Sequence, residues 1–222
     1  MTFEALLWDC DGCLIDSEYI ACALGAKLLN EAGYTISVED YIRRFCGQSK
    51  DHTFNSIKED CGIDYRPHMA AIDKRELQRE AFRRDLKIID GIHDVLEQID
   101  LPMAIASGSD YERLNYTLEL TDLYERFKDR IYSSSLVAKG KPAPDIFIYA
   151  AEQLNAAPEK CLVIEDSLNG VRSGKAAGMT VFGFTGGGHV FDKAEHSAEL
   201  LSLGADLVFD DMRELPGLIW GF

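Results

Sequence analysis

Ala5-Leu6-Leu7-Trp8-Asp9-Cys10-Asp11-Gly12 is a run of four apolar residues leading straight into two carboxylates one residue apart, with a glycine directly after. An apolar run that stops at D-x-D-G reads as a buried strand delivering both carboxylates to a tight turn at its C-terminal end. In open α/β sheets that edge is where ligands bind. Two carboxylates held so close repel each other unless a cation or a shared proton lies between them. The expectation is a metal-dependent site with one carboxylate free for covalent or acid–base work.

Outward from this stretch, further apolar runs end at Ala106, Tyr132 and Ile164, then near Phe184 and Phe209. Helix-like patterns separate them. Ile92, Val95, Leu96 and Ile99 follow the i, i+3, i+4, i+7 spacing of one helix face. Leu114 and Leu118 mark a helix over 110–119, Pro144 suits the first turn of one running to Leu154, and Ser167 is a good N-cap for one ending at Gly178. Strands alternating with helices predict an α/β fold, a Rossmann-like doubly wound parallel sheet.

Residues 17–87 break that rhythm and hold no convincing strand. Ser17 is placed to cap a helix that Gly33 ends, Ser37 a second, and Ser49 a third that Gly62 stops. A fourth, strongly charged, is expected from Pro67 to Leu86. The predicted organisation is an α/β core domain of residues 1–16 and 88–222, with an inserted α-helical cap domain at 17–87 and hinges near Asp16 and Ile88–Gly91.

Three more sequences close apolar runs and should reach the same sheet edge. Ser107-Gly108-Ser109 offers a hydroxyl and approachable backbone N–H groups just before Asp110 starts a helix, which suits an oxyanion. Lys139-Gly140-Lys141-Pro142-Ala143-Pro144 sets a lysine among residues that fix the backbone. Leu162-Val163-Ile164-Glu165-Asp166-Ser167 ends a strand in two acids at a helix cap. Each has a plain structural reading: a serine-capped turn, a solvated basic loop, and acids compensating a helix dipole. Their order and their common placement weigh against coincidence.

Taken together, Asp-x-Asp, Ser, Lys and an acidic pair resemble the haloacid dehalogenase superfamily of phosphohydrolases along nearly the whole chain. Glu165-Asp166-Ser167-Leu168-Asn169-Gly170 and Ala176-Ala177-Gly178-Met179 extend the match. The helical insert resembles the small cap of the subfamily containing β-phosphoglucomutase and many sugar-phosphate phosphatases. The resemblance implies that Asp9 attacks phosphorus and that Asp11 is the general acid and then the general base. It implies Mg²⁺ bound by Asp9, the Asp11 backbone carbonyl and Asp166, with Glu165 binding directly or through water. Ser107, Gly108 and Lys141 would hold the phosphoryl oxygens. Cys13 departs from the usual Thr or Val, which should make the loop sensitive to thiol reagents.

Within the insert, Arg43-Arg44-Phe45-Cys46-Gly47-Gln48-Ser49-Lys50 resembles the substrate-specificity loop of the subfamily. Arg44, Gly47, Gln48 and Lys50 are its candidate substrate contacts, and Arg44 or Lys50 would suit a second anionic group. A charged helix end is the competing reading. Mutase members carry a histidine early in the first cap helix. Here that segment reads Glu18-Tyr19-Ile20-Ala21-Cys22, which favours water over a sugar as the final acceptor. Gly186-Gly187-Gly188-His189 reads as loop punctuation, with His189 within reach of the cap interface.

The bulk numbers agree with a small-molecule enzyme. The net charge of −15 argues against nucleic-acid and anionic-membrane surfaces. No stretch has the length of a membrane span, and no secretory leader pattern opens the chain. The six cysteines are expected to be reduced in a cytoplasmic protein. The expected function is Mg²⁺-dependent hydrolysis of a small phosphorylated metabolite, a sugar or sugar-acid phosphate. The alternatives are a phosphomutase, a phospho-accepting receiver and a binding protein on this scaffold. The sequence leaves oligomeric state open.

Overall fold

The computed structural model describes residues 2–222. The chain forms two compact units: residues up to Asp16 together with Lys87–Phe222, and Ser17–Leu86.

The first unit is built on six parallel strands, β1 (Ala5–Trp8), β2 (Met103–Ser107), β3 (Ile131–Ser133), β4 (Cys161–Glu165), β5 (Thr180–Phe184) and β6 (Leu207–Phe209). They lie in the order β3-β2-β1-β4-β5-β6. The strand order therefore reverses between β1 and β4, and the crevice beyond their carboxyl ends is the ligand site of such sheets. β1, β2 and β4 are buried along their whole length, which is why they read as continuous apolar runs rather than alternating ones. Ala5 and Leu7 join Val163, Val181, Ile146, Phe147, Val171 and Leu200 in one core cluster. The side-chain period of two turns Leu6 and Trp8 to the opposite face.

The helices of this unit follow the expected caps. Asp110 accepts from the Arg113 N–H at 2.9 Å and opens Tyr111–Leu120. Ser167 accepts from the Gly170 N–H at 3.0 Å and opens Leu168–Ala176. The apolar tail forms a helix, Leu215–Gly221, in which Ile219 is buried and Trp220 is exposed. Phe222 meets Phe3 and Phe182 at ring distances of 6.2 and 5.1 Å. Where the chain leaves and rejoins this unit, the Asp16 N–H donates to the Lys87 carbonyl at 2.9 Å. Ile15 and Ile88 form an antiparallel bridge beside it.

The second unit is helical: Glu18–Glu31, Val38–Phe45, Lys50–Cys61, Arg66–Ala70 and Lys74–Asp85. Ala26, Leu29, Ile36, Phe45, Ile57 and Tyr65 form its core. Two sequence expectations fail here. Ser17 makes no side-chain cap, because its backbone (φ −96°, ψ −23°) is already helical rather than extended. The fourth helix is two, since Asp73 accepts from the Glu76 N–H at 3.2 Å and starts a new helix inside the charged run. No described helix is long and apolar enough to cross a membrane.

Candidate active site

The β1–β4 edge is assembled from backbone first. The Asp9 N–H donates to the Ile164 carbonyl at 2.9 Å, so the parallel ladder holds the first aspartate in register with the end of β4. Gly12 then turns the chain with φ +83°. A Cβ at Gly12 would lie 1.9 Å from Asp166 Oδ2, so the turn needs glycine both for its backbone and for room. The result brings Asp9, Glu165 and Asp166 together, all buried, with one oxygen of each within 4.8 Å of the others.

Lys141 answers part of this charge. Its Nζ lies 2.5 Å from both Asp9 Oδ1 and Glu165 Oε1, and 4.7 Å from the centre of the Phe147 ring. Burial opposes its charge, yet the two carboxylates hold its pKa above the ordinary lysine value. Burial pushes the Asp9 carboxyl well above the usual range despite Lys141, and Glu165, Asp166 and Asp11 add to the rise. One ammonium facing three buried carboxylates leaves negative charge that a divalent cation would balance. The donors are all oxygens, which suits a hard ion such as Mg²⁺. Glu165 Oε2 already accepts from the Ser167 N–H (2.8 Å) and hydroxyl (3.0 Å). With Oε1 on Lys141, Glu165 stands behind Asp9 and Asp166 in the cluster.

Asp11 points elsewhere. Its Oδ2 accepts from the Ser109 hydroxyl at 2.6 Å, and its Oδ1 accepts from Arg113 Nη2 at 2.7 Å. Ser107 closes β2, is buried, and its Oγ accepts from the Ser109 N–H at 3.1 Å. The Gly108 carbonyl accepts from the Ser134 hydroxyl at 2.8 Å. Asp9, Asp11, Ser107, Glu165 and Asp166 thus sit at or just beyond strand ends, and Lys141 reaches Asp9 and Glu165 from the loop that follows β3. Sequence reasoning missed Arg113, which lies one turn inside a helix and outside every motif. It also read the glycine turn at His189 only as loop punctuation. The glycine turn before it is tied to the first loop by a Gly188 N–H···Asp16 Oδ1 bond of 3.0 Å. His189 Nε2 lies 3.1 Å from Asp166 Oδ2, so it belongs to this cluster. His196 Nε2 lies 2.6 Å from the Asp166 carbonyl oxygen. Only the packing of the β5 loop and the following helix shows either one.

Cys10 and Cys13 bear on the expected thiol sensitivity of the loop. Both are fully buried, and burial raises both pKa values well above normal, which disfavours the reactive thiolate. In the helical unit, Arg44 is engaged internally. It pairs with Asp60 at 2.5 Å, donates to Tyr34 and Ser56 at 3.0 Å, and stacks over Phe45. Its charge is thus paired with Asp60 within the unit. Gly47 (φ +69°), Gln48 and Lys50 follow it, with Ser49 capping the next helix through the His52 N–H at 3.1 Å.

The sequence profile of the haloacid dehalogenase-like hydrolases matches residues 3–178. The chain belongs to this family. This haloacid dehalogenase-like hydrolase is 28% identical over 186 residues to the 6-phosphogluconate phosphatase of Escherichia coli K12, covering 84% of each chain. Its structure superposes on a conserved haloacid dehalogenase-like protein of unknown function, ATU0790 of Agrobacterium tumefaciens, with a TM-score of 0.90 and 37% identity. That match covers 99% of this chain and 98% of the other. A hydrolase of the same family from Deinococcus radiodurans, solved with phosphate and sodium, gives a TM-score of 0.81 at 32% identity, covering 96% and 93%. As a haloacid dehalogenase-like hydrolase with relatives named as phosphatases, the chain is a phosphoric monoester hydrolase.

Proposed function

We propose that this hydrolase is a Mg²⁺-dependent phosphatase of a small sugar phosphate or sugar-acid phosphate, working through an aspartyl-phosphate in the cytoplasm. The observation that carries the reading is the group Asp9–Lys141–Glu165–Asp166 at the switch point, with Asp11 two residues beyond the nucleophile. The name of the E. coli relative supports the sugar-acid class.

Asp9 attacks phosphorus, and the bond to the leaving oxygen breaks as the aspartyl-phosphate forms. Asp11 gives its proton to the departing alkoxide. A water then attacks the same phosphorus, Asp11 takes its proton, and Asp9 is regenerated as phosphate leaves. In this reading Ser107 and the Gly108 N–H hold phosphoryl oxygens, and Lys141 offsets their charge. Asp9, Asp166 and the Asp11 carbonyl would hold Mg²⁺, which supplies further charge neutralisation on those oxygens. Glu165 fixes Lys141.

Residues Gly47, Gln48 and Lys50 of the insert supply the discrimination among substrates in this reading. Lys50→Ala should change preference among sugar phosphates several-fold while leaving p-nitrophenyl phosphate hydrolysis near wild type. Equal losses on every substrate would remove Lys50 from that role. The reading as a whole is tested by phosphate release from a panel of phosphorylated sugars and sugar acids, with Mg²⁺ and with chelator. Metal-dependent turnover of a few members is expected, and no release from any member by folded protein would refute it.

A further inference from the structure

The carboxylate assigned to proton transfer is held by two groups, one from the Ser107–Ser109 turn and one outside every motif. Arg113 Nη2 and the Ser109 hydroxyl take one oxygen each of Asp11, at 2.7 and 2.6 Å. Asp11 is buried and the Arg113 side chain is 24% exposed, so neither contact is a surface ion pair that solvent would screen away.

Both partners are themselves anchored. The Arg113 N–H donates to the Asp110 carboxylate at 2.9 Å, and the Arg113 carbonyl accepts from the Thr117 hydroxyl at 2.9 Å. The Ser109 carbonyl accepts from the Ser133 hydroxyl at 2.6 Å, and the Ser109 N–H donates to Ser107 at 3.1 Å. A capped helix turn and the end of β3 therefore fix where Asp11 points, using residues of the α/β unit alone. The two bonds also occupy Asp11 separately from Asp9, whose own partner is Lys141. That separation keeps one carboxylate for phosphorus and the other for protons.

We propose that Arg113 is a positioning residue for Asp11, aiming the acid–base carboxylate at the leaving-group oxygen. The proposal rests on the phosphatase reading above. Its consequence falls on one part of the reaction. A poor alkoxide leaving group needs the proton from Asp11, whereas p-nitrophenolate departs without it, and general acid–base catalysis contributes about 10²–10⁴-fold. A guanidinium that gripped the phosphate instead would serve both substrates alike.

The test is kcat/KM, which reports the step that releases the leaving group, for Arg113→Ala and Arg113→Lys. The substrates are the best sugar phosphate of the panel and p-nitrophenyl phosphate. Arg113→Ala should lose about 30-fold or more on the sugar phosphate and less than about 3-fold on the aryl phosphate. Arg113→Lys, which keeps a cation but loses the planar fork, should recover part of the loss. Melting temperatures of all three proteins separate misfolding, which would cost both substrates equally. Equal losses, or no loss, with active wild type overturn the positioning role alone. A wild-type protein that cleaves neither substrate overturns the phosphatase reading and this proposal with it.

Discussion

Removing the ammonium of Lys141 would leave Asp9 and Glu165 without the cation that now lies 2.5 Å from each. Truncating one member of a buried ion pair costs about 3–5 kcal/mol, because the charge left behind is uncompensated. Lys141→Ala should therefore lower stability by that order in chelator and by less in Mg²⁺, as read by urea denaturation. Its kcat should fall about 10²–10³-fold, the scale for losing one charge-stabilising donor. Asp9→Asn should keep the fold and lose turnover by more than about 10³-fold, as the loss of a nucleophile does. Turnover near wild type in either variant would refute the role of the residue it replaces. At this scale the sequence was partly legible. Asp9, Glu165 and Asp166 lie where apolar runs end, and parallel pairing through the Asp9 N–H···Ile164 bond brings those ends together, while Lys141 arrives from the loop after β3. Arg113 and His189 were not legible, because each reaches its partner from a helix turn or loop whose path only tertiary packing sets.

The helix Leu168–Ala176 carries the motif's second half, and Gly170 stands within it at the third position. Alanine is favoured over glycine inside a helix by about 1 kcal/mol. A Cβ at Gly170, however, would come within 1.8 Å of the Glu165 carboxyl carbon. Gly170→Ala should thus destabilise by about 1–3 kcal/mol, the usual cost of overpacking, instead of stabilising. It should also lower kcat by shifting the carboxylate that holds Lys141. Denaturation midpoints and initial rates check both, and a more stable, fully active variant would contradict the close packing. Element boundaries were read well where a side-chain cap exists, as at Asp110 and Ser167. They were read poorly where composition was the guide. The charged run 67–86 hides the Asp73 cap, and Ser17 has the residue type of a cap without its backbone.

Across the molecule, acidic groups exceed basic ones by 15 charges, and the densest buried negative cluster is the site itself. Asp9 has a folded pKa raised by burial, so between its unfolded and folded values the native state binds more protons than the unfolded chain. Stability then falls as pH rises through that window. Lys141 is also raised, but its contribution is complete below the ordinary lysine pKa and is lost only in strong alkali. Mg²⁺ should therefore raise the melting temperature more at about pH 8 than at about pH 5, and Asp9→Asn should shrink the difference. An equal Mg²⁺ shift at both pH values in both proteins would speak against Asp9 as a ligand. The parallel sheet follows from the alternation of strand-like and helix-like segments, and the chain divides into two units where that alternation is interrupted after Asp16.

The placement of the two tryptophans makes the enzyme its own optical probe. Trp8 is sealed in β1, one residue before Asp9, while Trp220 lies exposed on the final helix. A collisional quencher such as iodide would silence Trp220 and leave the short-wavelength emission of the buried indole. That remaining light originates beside Asp9, so the metal binding and phosphorylation proposed for that residue should be readable in real time without a label.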